Sequence, residues 1–142
     1  MNNLRETLIE IAKRYIETEK ACCAHPLAYS SCPPQGHDWE EYRVLSAEWQ
    51  EAESDLWRAT DVEYDDKDAL RAACWEWRYA KVMARQCTWH ILKDGDTKWA
   101  RNTMWKLHNA EAHLMELLGL SDLYKSPCQR IEEAFPRLKY VS

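Results

Sequence analysis

A chain of 142 residues with net charge −5, three glycines and five prolines is long enough for one buried core and too poor in turn formers for a β-rich fold. The opening MNNLRETLIE puts Arg5, Glu6 and Glu10 where a signal peptide needs an apolar run, and no stretch approaches the roughly 18 apolar residues of a membrane span. A soluble cytoplasmic protein is expected, and its six cysteines read as reduced thiols, with no structural disulfide.

Leu4, Leu8, Ile11, Ala12, Tyr15 and Ile16 recur at three- and four-residue steps, which predicts a first amphipathic helix over residues 3–23. His25-Pro26 should end it, because proline disfavours helix in the residue before it, and Cys32-Pro33-Pro34-Gln35-Gly36 reads as an irregular loop. A second helix is predicted over 38–59, capped by Asp38, with Tyr42, Leu45, Trp49, Ala52 and Leu56 inward.

After an acidic connection, Asp68 caps a third helix over 69–92, with Leu70, Ala73, Cys74, Trp77, Ala84 and Ile91 as its main stripe, and Asp94-Gly95-Asp96 stops it. The fourth, over 97–118, turns Trp99, Thr103, Leu107, Ala110, Leu114 and Leu117 inward and ends at Gly119. A short fifth helix is expected over 121–134, interrupted by Pro127.

The fold class is therefore all-α: a single-domain bundle of four main helices plus a short C-terminal helix. The short link between the second and third helices predicts an antiparallel hairpin at its centre. In the register that aligns the apolar stripes, Leu56 faces Leu70, Ala52 faces Cys74 and Trp49 faces Trp77.

The third helix is apolar on a second side. Trp75, Val82 and Trp89 recur every seven residues, with Tyr79 and Met83 beside them. An all-round apolar helix is ordinarily buried by its neighbours. The alternative is a binding face, since Trp, Tyr, Met and Arg are enriched in interface cores. Trp105, on the outer side of the fourth helix, would join that face if the two adjoin.

Charge is unevenly placed. Residues 38–68 hold twelve acids against three bases, and 69–142 hold twelve bases against eight acids. Glu41, Glu48 and Asp55 recur every seven residues, with Glu40 and Glu51 near them, and so do Arg71, Arg78 and Arg85. Helical-wheel angles set the two rows on opposite edges of the expected hairpin, which leaves the acids to solvent or to a basic partner surface. The arginines are too sparse a track for direct nucleic-acid binding.

Chemistry is sparsely signalled. No phosphate-cradling glycine loop, no Gly-x-Ser-x-Gly elbow and no Glu-x-x-His pair occurs, so an enzyme is not expected and no cofactor is implied. Asp61, Glu63 and Asp65 imitate a calcium loop, but Asp66 stands where glycine is needed and Ala72 where the bidentate Glu belongs. The chemical alternative is a zinc-stabilised regulator, with Cys22, Cys23, His25, Cys32 and His37 within sixteen residues. The ligand set would be Cys23, His25, Cys32 and His37, while Cys22-x-x-His25 and Cys87-x-x-His90 repeat one spacing.

The leading expectation is a non-enzymatic inhibitor or adaptor that binds a protein or ribonucleoprotein partner with a basic surface. Its anchors are Trp75, Tyr79, Val82, Met83, Trp89 and Trp105, and Glu41, Glu48, Glu51 and Asp55 orient it. Self-association through the same tryptophans is a further expectation. Small, acidic, aromatic-rich helical proteins are a form often taken by phage and mobile-element accessory proteins that block host defence, anti-CRISPR proteins among them. The expectation extends to that role by analogy of form.

Overall fold

The computed structural model describes residues 3–25, 37–94 and 97–124, with side chains over 4–25, 39–86 and 98–124. These residues form four helices and no strand: α1 (Asn3–Ala24), α2 (His37–Ala59), α3 (Ala69–Asp94) and α4 (Thr97–Leu117). None of them is long and apolar enough to cross a membrane.

Part of each predicted stripe buries, while Leu4, Ile11, Tyr42, Leu45, Trp49, Leu70, Trp99, Ala110 and Leu117 are half-buried and the Ile91 side chain lies outside the described residues. Leu8, Ala12, Tyr15 and Ile16 of α1, Ala52 and Leu56 of α2, Ala73, Cys74, Trp77 and Ala84 of α3, and Thr103, Leu107 and Leu114 of α4 are all buried. A fully buried Leu or Trp contributes on the order of 1.5–3 kcal/mol, more than any capping contact described below.

Caps fix the ends. The Asp68 carboxylate accepts the Leu70 and Arg71 backbone N–H groups at 3.1 and 3.3 Å, so it caps α3 as its sequence position predicts. Gly119 takes φ 74°, and its N–H reaches the Glu116 carbonyl while that of Leu120 reaches Met115 at 2.8 Å. This pair of bonds is a Schellman ending, with Met115 and Leu120 both buried beside it. Beyond it, 121–124 form a turn and no helix, and the remainder of the expected fifth helix lies outside the described residues, as does the Asp38 side chain.

The chain divides into two compact units, one holding α1 and α2 and the other beginning at Thr60 and holding α3 and α4. In the first, Arg14 meets Glu51 and Asp55 while His25, just past the end of α1, meets Glu41, so α1 and α2 run antiparallel. The hairpin expected between α2 and α3, with its Leu56–Leu70, Ala52–Cys74 and Trp49–Trp77 register, joins elements of different units and belongs to neither.

The connection after α2 has its own work to do. Thr60 is buried, Val62 turns back on the Thr60 carbonyl, and residues 62–64 lie along the outer side of α3.

Candidate functional site

The outer face of α3 is built from one heptad row and the connection that precedes it. Trp75 donates its indole N–H to the Val62 carbonyl at 2.7 Å, and the Tyr64 ring meets it edge-on with centroids 5.7 Å apart. Arg71 reaches the Glu63 carbonyl at 3.3 Å and the Asp68 carboxylate at 3.4 Å. Trp75 is thereby held in place, yet 49% of it remains exposed.

Tyr79 at 69% and Val82 at 40% continue the same face. At 100° per residue the three side chains fall within about 60° of arc. Of the two expectations for the second apolar side of this helix, the structure gives the exposed one at these positions. Met83 is half-buried beside them, and the Trp89 side chain lies outside the described residues.

One edge of the face opens into a groove of about 370 Å³ between α3 and α4, lined by Tyr79, Ala80 and Met83 from one helix and Trp99, Thr103 and Ala110 from the other. Glu76, Lys106 and Asn109 form its polar rim. Trp105 does not line it. Five residues before Ala110, it points about 140° away around α4 and is 65% exposed on its own. The expected joining of Trp105 to the α3 face therefore does not occur at this groove.

The acidic row divides. Asp55 accepts from Arg14 Nη1 at 3.0 Å and also from Arg58, and Glu51 lies 3.6 Å from Arg14. Part of the row thus faces α1, where Arg14 pairs with Asp55 and lies near the still-exposed Glu51, a neighbour that the spacing of α2 alone does not indicate. Glu41 and Glu48 are exposed, and Glu41 lies 3.9 Å from the His25 Nε2. The row belongs to the first unit and the aromatic face to the second.

The zinc reading concerns the end of α1. Cys22 and His25 are buried there, and the His25 and Tyr42 rings stand 5.6 Å apart. Burial raises the Cys22 thiol pKa, against a hydrogen bond with Tyr42 that lowers it. Among the described residues no group of three or more His, Cys, Asp or Glu side chains is placed to hold a metal ion. Cys32 and the side chains of His37, Cys87 and His90 lie outside the described residues.

Cys22, Cys23 and Cys74 are free thiols. Burial first, and the Asp68 charge after it, push Cys74 from 9.0 to about 11. A thiol so protonated at neutral pH is a packing group and a poor nucleophile.

Sequence reasoning missed a buried polar network in the second unit. Glu111 accepts the Trp77 indole N–H at 3.2 Å and the Tyr124 hydroxyl at 2.9 Å, with Lys81 Nζ at 3.9 Å. Lys81 also lies 5.5 Å from the Trp77 ring centroid, within cation–π range. The one available signal was spacing: Glu111 stands four residues after Leu107 and three before Leu114, on the face that those two turn inward.

Comparison with family models, with curated proteins and with solved structures finds no match to this chain.

Proposed function

We propose that this chain is a non-enzymatic protein–protein interaction protein of the cytoplasm, an inhibitor or adaptor that docks through the outer face of α3. The supporting observation is the exposure of Trp75, Tyr79 and Val82 along one row, beside a groove whose floor is apolar. Aromatic side chains of this kind dominate binding energy when a partner removes them from water.

In this reading Glu41, Glu48 and Glu51 form a second contact, which steers the first unit toward a basic protein or ribonucleoprotein surface. An anti-defence role of the anti-CRISPR kind is the setting proposed for it, on form alone.

Tagged full-length protein, cross-linked in lysate of its natural host, tests the reading. A stoichiometric partner should be retained by the unaltered chain. Trp75→Ala combined with Tyr79→Ala should weaken it by about a hundredfold, the loss of two interface anchors. Charge reversal at Glu41, Glu48 and Glu51 should slow its association and flatten the salt dependence. Retention unchanged in both variants, with helical circular dichroism intact, would sink the proposal.

A further inference from the structure

The Trp75 end of the α3 face carries a second ring from the connection after α2. Tyr64, 55% exposed, stands at 76° to the Trp75 indole with centroids 5.7 Å apart. Two half-exposed rings near a right angle enclose a corner. The bond from the Trp75 indole N–H to the Val62 carbonyl holds one wall in place, and the other wall belongs to the same short segment, closed by the Val62 N–H on the Thr60 carbonyl at 2.9 Å.

Aromatic faces attract positive charge through their quadrupole. In the same unit the Trp77 ring already has Lys81 Nζ 5.5 Å from its centroid. Among the described residues no such cation stands over Trp75 or Tyr64, and the neighbouring Arg71 is held by the Glu63 carbonyl and the Asp68 carboxylate.

The segment that builds the corner is strongly acidic, with five acids and one base over residues 61–68. Asp68 is taken by the α3 cap and Arg71, and Asp65 accepts the Lys67 backbone N–H at 2.9 Å. Asp61 and Glu63, on either side of Val62, and Asp66 beyond Tyr64 are exposed, and their carboxylates have no hydrogen bond or ion pair among the described residues. An apolar partner laid over the rings would strip water from these carboxylates and return nothing. A phosphate backbone would be repelled by them. Charge complementarity therefore selects a cation.

Shape selects which cation. A planar guanidinium stacks flat on one ring, whereas a rounded ammonium presents charge to two faces set at an angle. We propose that the corner between Trp75 and Tyr64 receives the ammonium group of a lysine on a basic segment of the partner protein, with Asp61 and Glu63 as its counter-charge. This rests on the docking role proposed above and names the partner's chemistry. It also places a contact for a basic surface in the second unit, beside the aromatic face, in addition to the acidic row of the first.

The probe is a short Gly–Ser peptide with one central lysine, titrated into the full chain and followed by NMR on the Trp75 indole N–H, a signal assigned by its loss in Trp75→Phe. The lysine peptide should shift that signal saturably in the millimolar range, and its uncharged norleucine counterpart should bind at least about fivefold more weakly. The arginine counterpart should also bind more weakly than lysine. Tyr64→Ala, which removes one wall and keeps the Val62 tether of the other, should cost the lysine peptide about fivefold in Kd. Asp61→Asn combined with Glu63→Gln should weaken it about threefold at low salt and should weaken retention of the lysate partner as well.

Norleucine binding as tightly as lysine would overturn the cation, and arginine binding as tightly would overturn the ammonium. Unchanged lysine binding in Tyr64→Ala would overturn the corner. A lysate partner lost in Trp75→Ala with Tyr79→Ala, yet fully retained by Asp61→Asn with Glu63→Gln, would remove the lysine while leaving the docking role standing. A solution mass twice that of the chain, falling to the monomer in Tyr64→Ala, would replace the partner's lysine with one from a second copy.

Discussion

Glu111 has both carboxylate oxygens engaged in a nearly water-free place, by Trp77 on one side and Tyr124 on the other, with Lys81 nearby. Removing one partner of such a group leaves the rest desolvated and uncompensated, which costs more than the contact itself supplies. Glu111→Ala is therefore expected to lower the unfolding free energy by about 3–5 kcal/mol in urea titration, with Glu111→Gln markedly milder because it keeps an acceptor. A Glu111→Ala loss no greater than that of an exposed glutamate would contradict the network. Glu111 was only partly legible in the sequence: its spacing from Leu107 and Leu114 puts it on the inward face of α4, but its partner Trp77 lies 34 residues away, beyond the reach of local spacing.

Helix ends were more legible than helix partners. Asp68 and Gly119 act through the backbone of their own neighbourhood, so a cap and a left-handed stop can be read from residue type and position. Asp68→Ala should cost about 1 kcal/mol by loss of the cap. Gly119→Ala should cost a similar amount, roughly 1 kcal/mol, through φ alone, because a Cβ there meets no atom within 4 Å. Thermal unfolding of the two variants checks both, and a neutral Gly119→Ala would show that the turn relaxes.

The pairing of helices was harder to read. The hairpin expected across the connection from Thr60 to Asp68 would join the two units and belongs to neither, while within the second unit the connection itself lies against Trp75 and Arg71. The acidic heptad on α2 pointed outward on the wheel, and only the position of α1 shows that Arg14 takes Asp55 from it.

Across the whole molecule, an isoelectric point near 5.5 and a net charge of −5 at neutral pH give copies of the chain a mutual repulsion in ordinary buffers. That repulsion vanishes as the solution is brought to the isoelectric point, while the exposed aromatic row remains. Light scattering should therefore rise sharply near pH 5.5 relative to about pH 7.5, and Tyr79→Ala should blunt the rise. Equal scattering at the two pH values would mean that the face is not adhesive. The all-α class and the four helix positions followed from periodicity. The separation of acids and aromatics into different units did not, because it depends on which helices choose each other.

Trp75 has one more consequence. Its indole is tied to a main-chain carbonyl and flanked by a tyrosine ring, so its rotamer freedom was surrendered when the chain folded. A partner that closes over this side chain has little left to order, and the entropy that usually opposes capture of a large aromatic is already spent. Cutting that tether, for example with Val62→Pro to displace the carbonyl, would return the disorder to the binding step. The complex would form at much the same rate and fall apart sooner.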